Sequence, residues 1–263
     1  MNTAAFRDEV WAMARELYRP MPWREDPTFY RVLVSELMLQ QTQVDRVRTK
    51  FAEFMTRFPT VESLATASLA DVLVVWQGLG YNRRAKFLHD AAKQVVEKGE
   101  PATLSDLVAL PGVGKNTAGA IMNYVYEVAT PFVETNIRSV YFHHFFADAR
   151  DVSDAELLNL VAETIDQESP RQWFYALMDY GSYLKRQGVG RLDTSKHYKK
   201  QAPLKGSVRE VRGVIIRRLT EGHVSRAALE ADFAGDARFQ KALAGLMADG
   251  LVSESGAAIR LTK

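Results

Sequence analysis

An all-α fold is what this 263-residue sequence predicts, on three observations. Apolar residues recur at three- and four-residue steps, the spacing that gives a helix one apolar face. Capping residues stand just before several of those runs. Alternating apolar and polar residues, the mark of a half-buried strand, are nearly absent before residue 250.

Val32, Leu33, Leu37, Met38, Val44 and Val47 make the first such face, Leu88, Ala91, Ala92, Val95 and Val96 a second, and Leu157, Leu158, Val161 and Ile165 a third. Ser68 precedes LADVL, and Ser153 precedes DAELLNLV with Glu156 three positions on, the pattern of a capping box. Ser105 is a weaker cap, with an apolar residue where the box wants Glu or Gln. Residues 1–186 therefore read as one helical domain with short connections. Residues 187–206 hold Gly188, Gly190, Pro203 and Gly206 among scattered bases and read as a linker or surface arm. Beyond it, Val208–Leu219, Ser225–Phe233 and Ala237–Ala248 read as helices, and residues 251–261 as a hairpin turning at Gly256. That order gives residues 207–263 the outline of a winged helix; a small helical cap that binds nothing is the alternative.

Composition narrows the classes. With 47% hydrophobic residues the chain is not wholly disordered, and it is long enough for a sizeable core. Zero cysteines exclude disulfides, thiolate zinc sites and cysteine-held iron–sulfur clusters, and fit a reducing, cytoplasmic setting. The first residues, MNTAAFRDEVWAM, are unlike a signal peptide, and no apolar run approaches the roughly 20 residues that span a bilayer. Net charge is +2, but Lys185–Arg218 carries eleven bases against Asp193 and Glu210, leaving +9 there and −7 elsewhere. Such asymmetry fits a polyanion-facing surface as well as a solvated basic linker.

Three segments carry candidate chemistry. In LPGVGKNTAG (Leu110–Gly119) two glycines permit a tight turn opening onto a helix at Asn116–Tyr126, so backbone amides, the helix dipole and Lys115 converge. Helical residues before it complete a helix-hairpin-helix suited to one DNA phosphate; an NTPase loop would need four residues between its glycines, and here there is one. In VLVSELMLQQTQ (Val32–Gln43), Glu36 lies in an apolar helical stretch where burial favours a protonated general acid; a Glu at the edge of that face, reaching water, is the plainer alternative. Gln40, Gln41, Thr42 and Gln43 offer neutral groups suited to base edges. In TPFVETNIRS (Thr130–Ser139), Glu134 opens a helix whose amides would hold it ionised; a plain capping acid reads the same way. One buried and one capped carboxyl match the division of labour in glycosidic cleavage. His143 and His144 are adjacent, point about 100° apart on a helix and are expected to pack rather than share a metal; no metal site is expected.

PWR (Pro22–Arg24), SELMLQQTQV (Ser35–Val44), FPTVESLA (Phe58–Ala65), WQGLGY (Trp76–Tyr81), LPGVGKNTAGAI (Leu110–Ile121) and MDYG (Met178–Gly181) stand in the order and spacing of MutY-type adenine DNA glycosylases. The chain resembles this branch of the helix-hairpin-helix base-excision superfamily over about residues 20–185. The resemblance implies two helical subdomains and removal of a flipped-out adenine paired with 8-oxoguanine or guanine in double-stranded DNA. It also implies a monomer working in the cytoplasm on a bacterial nucleoid. It makes Glu36 the acid that protonates the departing base, Glu134 the stabiliser of the sugar cation and Asn136 its neighbour. Leu39 and Gln41 become residues entering the base stack, and Pro111, Gly112, Val113, Gly114, Lys115, Asn116 and Thr117 the phosphate hairpin. Arg24, Gln40, Thr42, Tyr81, Asn82 and Tyr175 join the DNA- or base-facing set.

Departures from the family pattern are informative. Glu134 stands where the family has Asp, so its carboxylate is one methylene longer. Asn116 replaces the lysine with which bifunctional relatives form a Schiff base, excluding lyase chemistry through that position. Asn82 stands in for an aromatic wedge, and Tyr175 for a Gln or Glu turned toward adenine. Lys185 occupies the place of the first cluster cysteine, so no iron–sulfur cluster and no other cofactor is expected. The basic arm, with Lys196, Lys199 and Lys200, is expected to grip the DNA backbone instead, and a winged-helix-like tail replaces the family's lesion-sensing domain. Excision of thymine or uracil opposite guanine, or non-catalytic recognition of distorted DNA, are the alternatives.

Overall fold

The computed structural model describes residues 2–147, 149–191, 195–196 and 202–262. In chain order the described helices are α1 (Thr3–Leu17), α2 (Pro22–Glu25), α3 (Phe29–Leu39), α4 (Val44–Arg57), α5 (Val61–Thr66), α6 (Leu69–Trp76), α7 (Arg83–Lys98), α8 (Leu104–Val108), α9 (Lys115–Tyr124), α10 (Thr135–Phe145), α11 (Asp154–Thr164) and α12 (Pro170–Arg186). Then follow α13 (Val208–Thr220), β1 (Val224–Ser225), α14 (Arg226–Asp232), α15 (Phe239–Ala248), β2 (Val252–Ser255) and β3 (Ala258–Leu261). They gather into two compact units. The first holds residues 1–32, 102–109 and 113–200, and the second holds 33–101, 110–112 and 201–263.

Within the first unit α12 lies against α1 and α10. Phe6 of α1 is fully buried, its ring centroid 5.1 Å from that of Tyr141 and 6.0 Å from that of Trp173. In the second unit Phe54, Phe58 and Trp76 close a core beneath α4 and α6, with Phe54 and Phe58 centroids 5.0 Å apart. Of the faces the helical spacing predicts, Leu88, Ala91, Ala92 and Val95 are buried on α7, and Leu157, Val161 and Ile165 are buried at α11, but Val96 is exposed because it lies one residue beyond the buried stripe of α7.

The predicted caps at Ser68 and Ser153 form. Ser68 accepts from the Asp71 amide at 3.1 Å, and Ser153 with Glu156 makes a reciprocal capping box. Ser105 caps nothing: Thr103 does that for α8, accepting from the Asp106 amide at 3.2 Å, because its backbone is extended while Ser105 is already helical. The face running from Val32 to Val47 is split between two helices. The chain leaves helical geometry at residues 40–43, where Gln41 has φ 57, so the helical spacing resumes in α4 along a new axis. The helix after the glycine hairpin runs Lys115–Tyr124, two residues shorter at its end than the expectation.

The terminal segment forms three helices and a hairpin as expected, with Gly256 (φ 61) opening its two-residue turn. The sequence reading missed β1, a two-residue strand that pairs antiparallel with β3 (Val224 opposite Ile259), so the sheet order is β1-β3-β2. Two residues carry no periodicity to read.

Candidate functional site

The helix-hairpin-helix is built from α8, the turn at residues 109–114 and α9. Gly112 has φ 78, and a Cβ there would lie 2.8 Å from the Phe87 Cβ and 3.2 Å from Leu37, so both torsion and space demand glycine. Its carbonyl accepts from Gln40 Nε2 at 3.2 Å, which turns one of the predicted glutamines into a clamp on the hairpin. Gly114 is the N-cap of α9 without any side-chain cap, and Lys115 and Asn116 are exposed beside it. The first turn of α9 thus offers backbone amides and a positive dipole end next to a lysine. Pro111 and Thr117 are half-buried, Val113 is buried, and Asn116 Oδ1 accepts from the Val133 amide at 3.4 Å.

That last bond leads to Glu134. Its Oε1 accepts from the Asn136 amide at 2.6 Å and the Ile137 amide at 3.1 Å, capping α10 as expected. Asn136 Nδ2 lies 3.4 Å from the other carboxylate oxygen and 3.9 Å from Met178 Sδ. Charge balance differs from the expectation. Burial pushes the Glu134 carboxyl above the usual carboxylate range, outweighing the Ile137 amide, the Lys185 ammonium and Asn136, which pull it down. The capped carboxyl is therefore a desolvated one. Lys185 is itself pushed down by burial, with Glu134 pulling it up and Arg19 adding to the fall. α12 brings its neighbour Gly181 against the Asn136 backbone so closely that a Cβ would lie 2.1 Å from the Asn136 carbonyl oxygen.

In the second unit Glu36 is half-buried on α3 between buried Ser35 and Leu37, and Leu39 and Gln40 are half-buried at the helix end. Gln41 is exposed. Thr42 Oγ1 donates to the Leu79 carbonyl at 3.2 Å, linking this bend to the turn at residues 77–82. Sequence reasoning missed the residue that joins them, Arg84, which is 6% exposed. Its Nη1 donates to the carbonyls of Leu37 and Met38, both at 2.7 Å, and its Nη2 to Gly80 at 2.9 Å, Leu79 at 3.1 Å and Thr42 Oγ1 at 3.0 Å. These include carbonyls that the end of α3 leaves without helical partners. Desolvation pushes Arg84 down to about 10, against a pull upward from Tyr81, so it stays charged at neutral pH. The sequence signal was present: an Arg just behind a Gly-x-Gly turn has the reach and the donors to tie it down. Tyr81, with φ 46, and Asn82, the uncapped N-cap of α7, are half-buried at this turn.

Arg24 is also committed inward. Its side chain is 5% exposed, with Nη1 and Nη2 at 2.8 and 3.1 Å from the Asp179 carboxylate and its guanidinium 4.3 Å from the Tyr175 ring centroid. Tyr175, Tyr18, Trp11 and Asp179 line a largely apolar cleft of about 350 Å³ between α1 and α12. Lys196 is exposed in the arm, while Lys199 and Lys200 lie outside the described residues. His144 bonds Tyr180 at 2.9 Å and packs on Phe6, and burial first and His143 second push it down to about 4. Among the described residues no three His, Cys, Asp or Glu side chains gather to hold a metal ion. With no cysteine in the chain and a lysine ammonium at position 185, the residues do not fit a [4Fe–4S] cluster.

A helical frame that presents a glycine hairpin and a carboxylate at a helix head defines a class, and comparison with known proteins names it. The family of HhH-GPD superfamily base excision DNA repair proteins matches residues 34–163. The chain is 35% identical to the adenine DNA glycosylase of Mycobacterium tuberculosis (strain ATCC 25618 / H37Rv), over 90% of this chain and 87% of that protein. It is 38% identical to the adenine DNA glycosylase of Buchnera aphidicola subsp. Schizaphis graminum, but over 48% of this chain and 37% of that protein. Among solved structures, a thermostable thymine-DNA glycosylase superposes with TM-score 0.62 at 21% identity, covering 68% of this chain and 86% of that one. An endonuclease III–DNA covalent intermediate gives 0.59 at 19% identity, covering 77% and 91%. At such identities the two structures speak for the fold alone. The chain belongs to the adenine DNA glycosylases of the HhH-GPD superfamily.

Proposed function

We propose that the protein is a DNA N-glycosylase of base excision repair that hydrolyses the bond between adenine and its deoxyribose in double-stranded DNA, adenine opposite 8-oxoguanine or guanine being the substrate. The observation that carries this reading is the likeness along nine-tenths of the chain to a protein named adenine DNA glycosylase. The helix-head position of Glu134 and the open N-terminus of α9 support their roles, while that of Glu36 rests on the resemblance. Glu36 donates a proton to the departing base as the C1′–N bond breaks, and the electron pair leaves with adenine. Glu134 faces the resulting oxocarbenium-like sugar as a carboxylate held by the Asn136 and Ile137 amides. Water then adds at C1′ and releases a proton. The α9 N-terminus with Lys115 takes one backbone phosphate without reading sequence. Asn116 supplies no amine, so strand cleavage through that position is not part of the reaction. The enzyme acts as a monomer without a cofactor, in the cytoplasm; among the described residues no helix is long and apolar enough to cross a membrane. The helix and strand order of residues 208–261 supports a winged-helix-like reading of that segment.

A single-turnover panel of defined duplexes tests this. Excision of adenine opposite 8-oxoguanine or guanine is expected, abolished in Glu36→Gln and Glu134→Gln while both variants still bind the duplex. No excision of adenine from either pair would sink the assignment.

A further inference from the structure

The turn between α6 and α7 is held by the C-terminal segment. Three of its residues take left-handed backbone geometry, Gly78 at φ 90, Gly80 at φ 72 and Tyr81 at φ 46. For the two glycines this is easily adopted, but for a tyrosine it is unfavourable and persists only where surrounding contacts over-determine it. Arg84 holds the turn from within, through the Leu79 and Gly80 carbonyls. The outer support comes from α13, more than a hundred residues further along the chain. Arg209 Nη1 donates to the Tyr81 hydroxyl, and its guanidinium lies 4.7 Å from the Tyr81 ring centroid. Arg209 Nη2 donates to the Ala202 carbonyl at 3.1 Å, which orients the fork.

At the other shoulder of the turn, Gln77 Nε2 donates to Thr220 Oγ1 at 2.9 Å. A third tie runs to the first turn of α7: Asp249, just after α15, accepts from Arg212 at 2.5 Å and lies 3.8 Å from Arg83. The two ends of α13 therefore clasp the two shoulders of one strained turn.

We propose that Arg209 is a positioning residue: through Tyr81 it holds the Gly78–Asn82 turn in the shape that meets the base opposite the excised adenine, so the C-terminal segment sets opposing-base selectivity. This rests on the proposed function and on the resemblance, by which Asn82 stands where the family's aromatic wedge recognises 8-oxoguanine. Ring stacking by Arg209 and its bond to the hydroxyl restrict both the tyrosine rotamer and the backbone beneath it. Loss of one charge-assisted hydrogen bond on a residue facing a base is expected to change selectivity about tenfold.

The readout is the ratio of single-turnover rates for adenine opposite 8-oxoguanine and opposite guanine, measured on the full chain with Arg209→Ala, Arg209→Lys, Tyr81→Phe and Tyr81→Ala. Hydrogen exchange across residues 78–82 is followed in parallel. The ratio is expected to move about tenfold in Arg209→Ala and in Tyr81→Phe, to return toward the parent in Arg209→Lys, and amide exchange in the turn to quicken where the ratio moves. If Arg209→Ala unfolds, Tyr81→Phe, which loses only the hydroxyl, carries the test. A ratio unchanged in Arg209→Ala and Tyr81→Phe but shifted in Tyr81→Ala overturns the proposal and leaves the turn's DNA-facing role intact. A ratio unchanged in all four overturns both. A parent that excises no adenine overturns the functional reading itself.

Discussion

Gly181 is where one methyl group should separate folding from catalysis. On α12 it faces the first turn of α10, and a Cβ built there would stand 2.1 Å from the Asn136 carbonyl oxygen, 2.5 Å from its carbonyl carbon and 2.7 Å from its Cα. All three are backbone atoms, so no rotamer change relieves the overlap. Ordinary contact begins near 3.4 Å, and α10 must retreat from α12 by about 1 Å. Glu134 caps that same turn through the Asn136 and Ile137 amides, so its carboxylate moves with it. Overpacking of this kind costs about 1–3 kcal/mol, which a protein stable by about 5–15 kcal/mol survives. A 1 Å displacement of a reacting group can cost about 100-fold in rate. Gly181→Ala is therefore expected to remain folded, to bind an adenine-containing duplex nearly as the parent does, and to excise adenine about 100-fold more slowly under single turnover. Gly213→Ala is the matched control. That glycine lies mid-helix in α13 with nothing within 4 Å of a built Cβ, so the same substitution should stabilise by up to about 1 kcal/mol and leave the rate alone. A folded Gly181→Ala enzyme working at the parental rate would refute the reasoning.

Three further outcomes follow from the same geometry. Lys185→Met removes a cation that pulls Glu134 down, so the carboxyl rises further, and a rate requiring the carboxylate should have its acid limb at higher pH; Lys185→Arg should restore it, and an unmoved limb in Lys185→Met would uncouple the pair. Asp179→Asn leaves the 5%-exposed Arg24 guanidinium without its carboxylate, and urea titration should register a loss of about 3–5 kcal/mol; a loss below about 1 kcal/mol would mean the pair is dispensable. His144 has a folded pKa of about 4, below its ordinary value of 6.5, so its contribution is complete above that ordinary value and fades as pH falls toward 4. In His144→Gln, unfolding free energy should decline less steeply than the parent's across that window, and parallel curves would contradict the linkage.

Much of this was written locally. Helix starts at Ser68 and Ser153, the glycine hairpin opening onto α9, and Glu134 at the head of α10 are i to i+3 relationships, set by neighbours along the chain. Gly256 announces its hairpin for the same reason. Where the reading faltered, the deciding partner lay far away in sequence. The helical spacing of Val32–Val47 continues through residues 40–43, yet the chain bends there, and Arg84, more than forty residues on, gathers the buried carbonyls at the end of α3. β1 exists because β3 supplies its hydrogen bonds.

The sequence by itself determined the helical class, the caps at Ser68 and Ser153, the family motifs and the absence of thiolate ligands, since each follows from residue type and short-range spacing. Tertiary structure alone decided the electrical state of the site and the roles of its supports. Glu134 looked like a freely ionised cap, but desolvation depends on what surrounds a carboxyl in three dimensions, and there it outweighs the helix amides. Arg24 reads in the sequence as a base available to DNA and Arg209 as one of eleven bases in Lys185–Arg218; one is spent on Asp179 and the other on Tyr81, because a guanidinium bonds whatever acceptor the fold brings within reach.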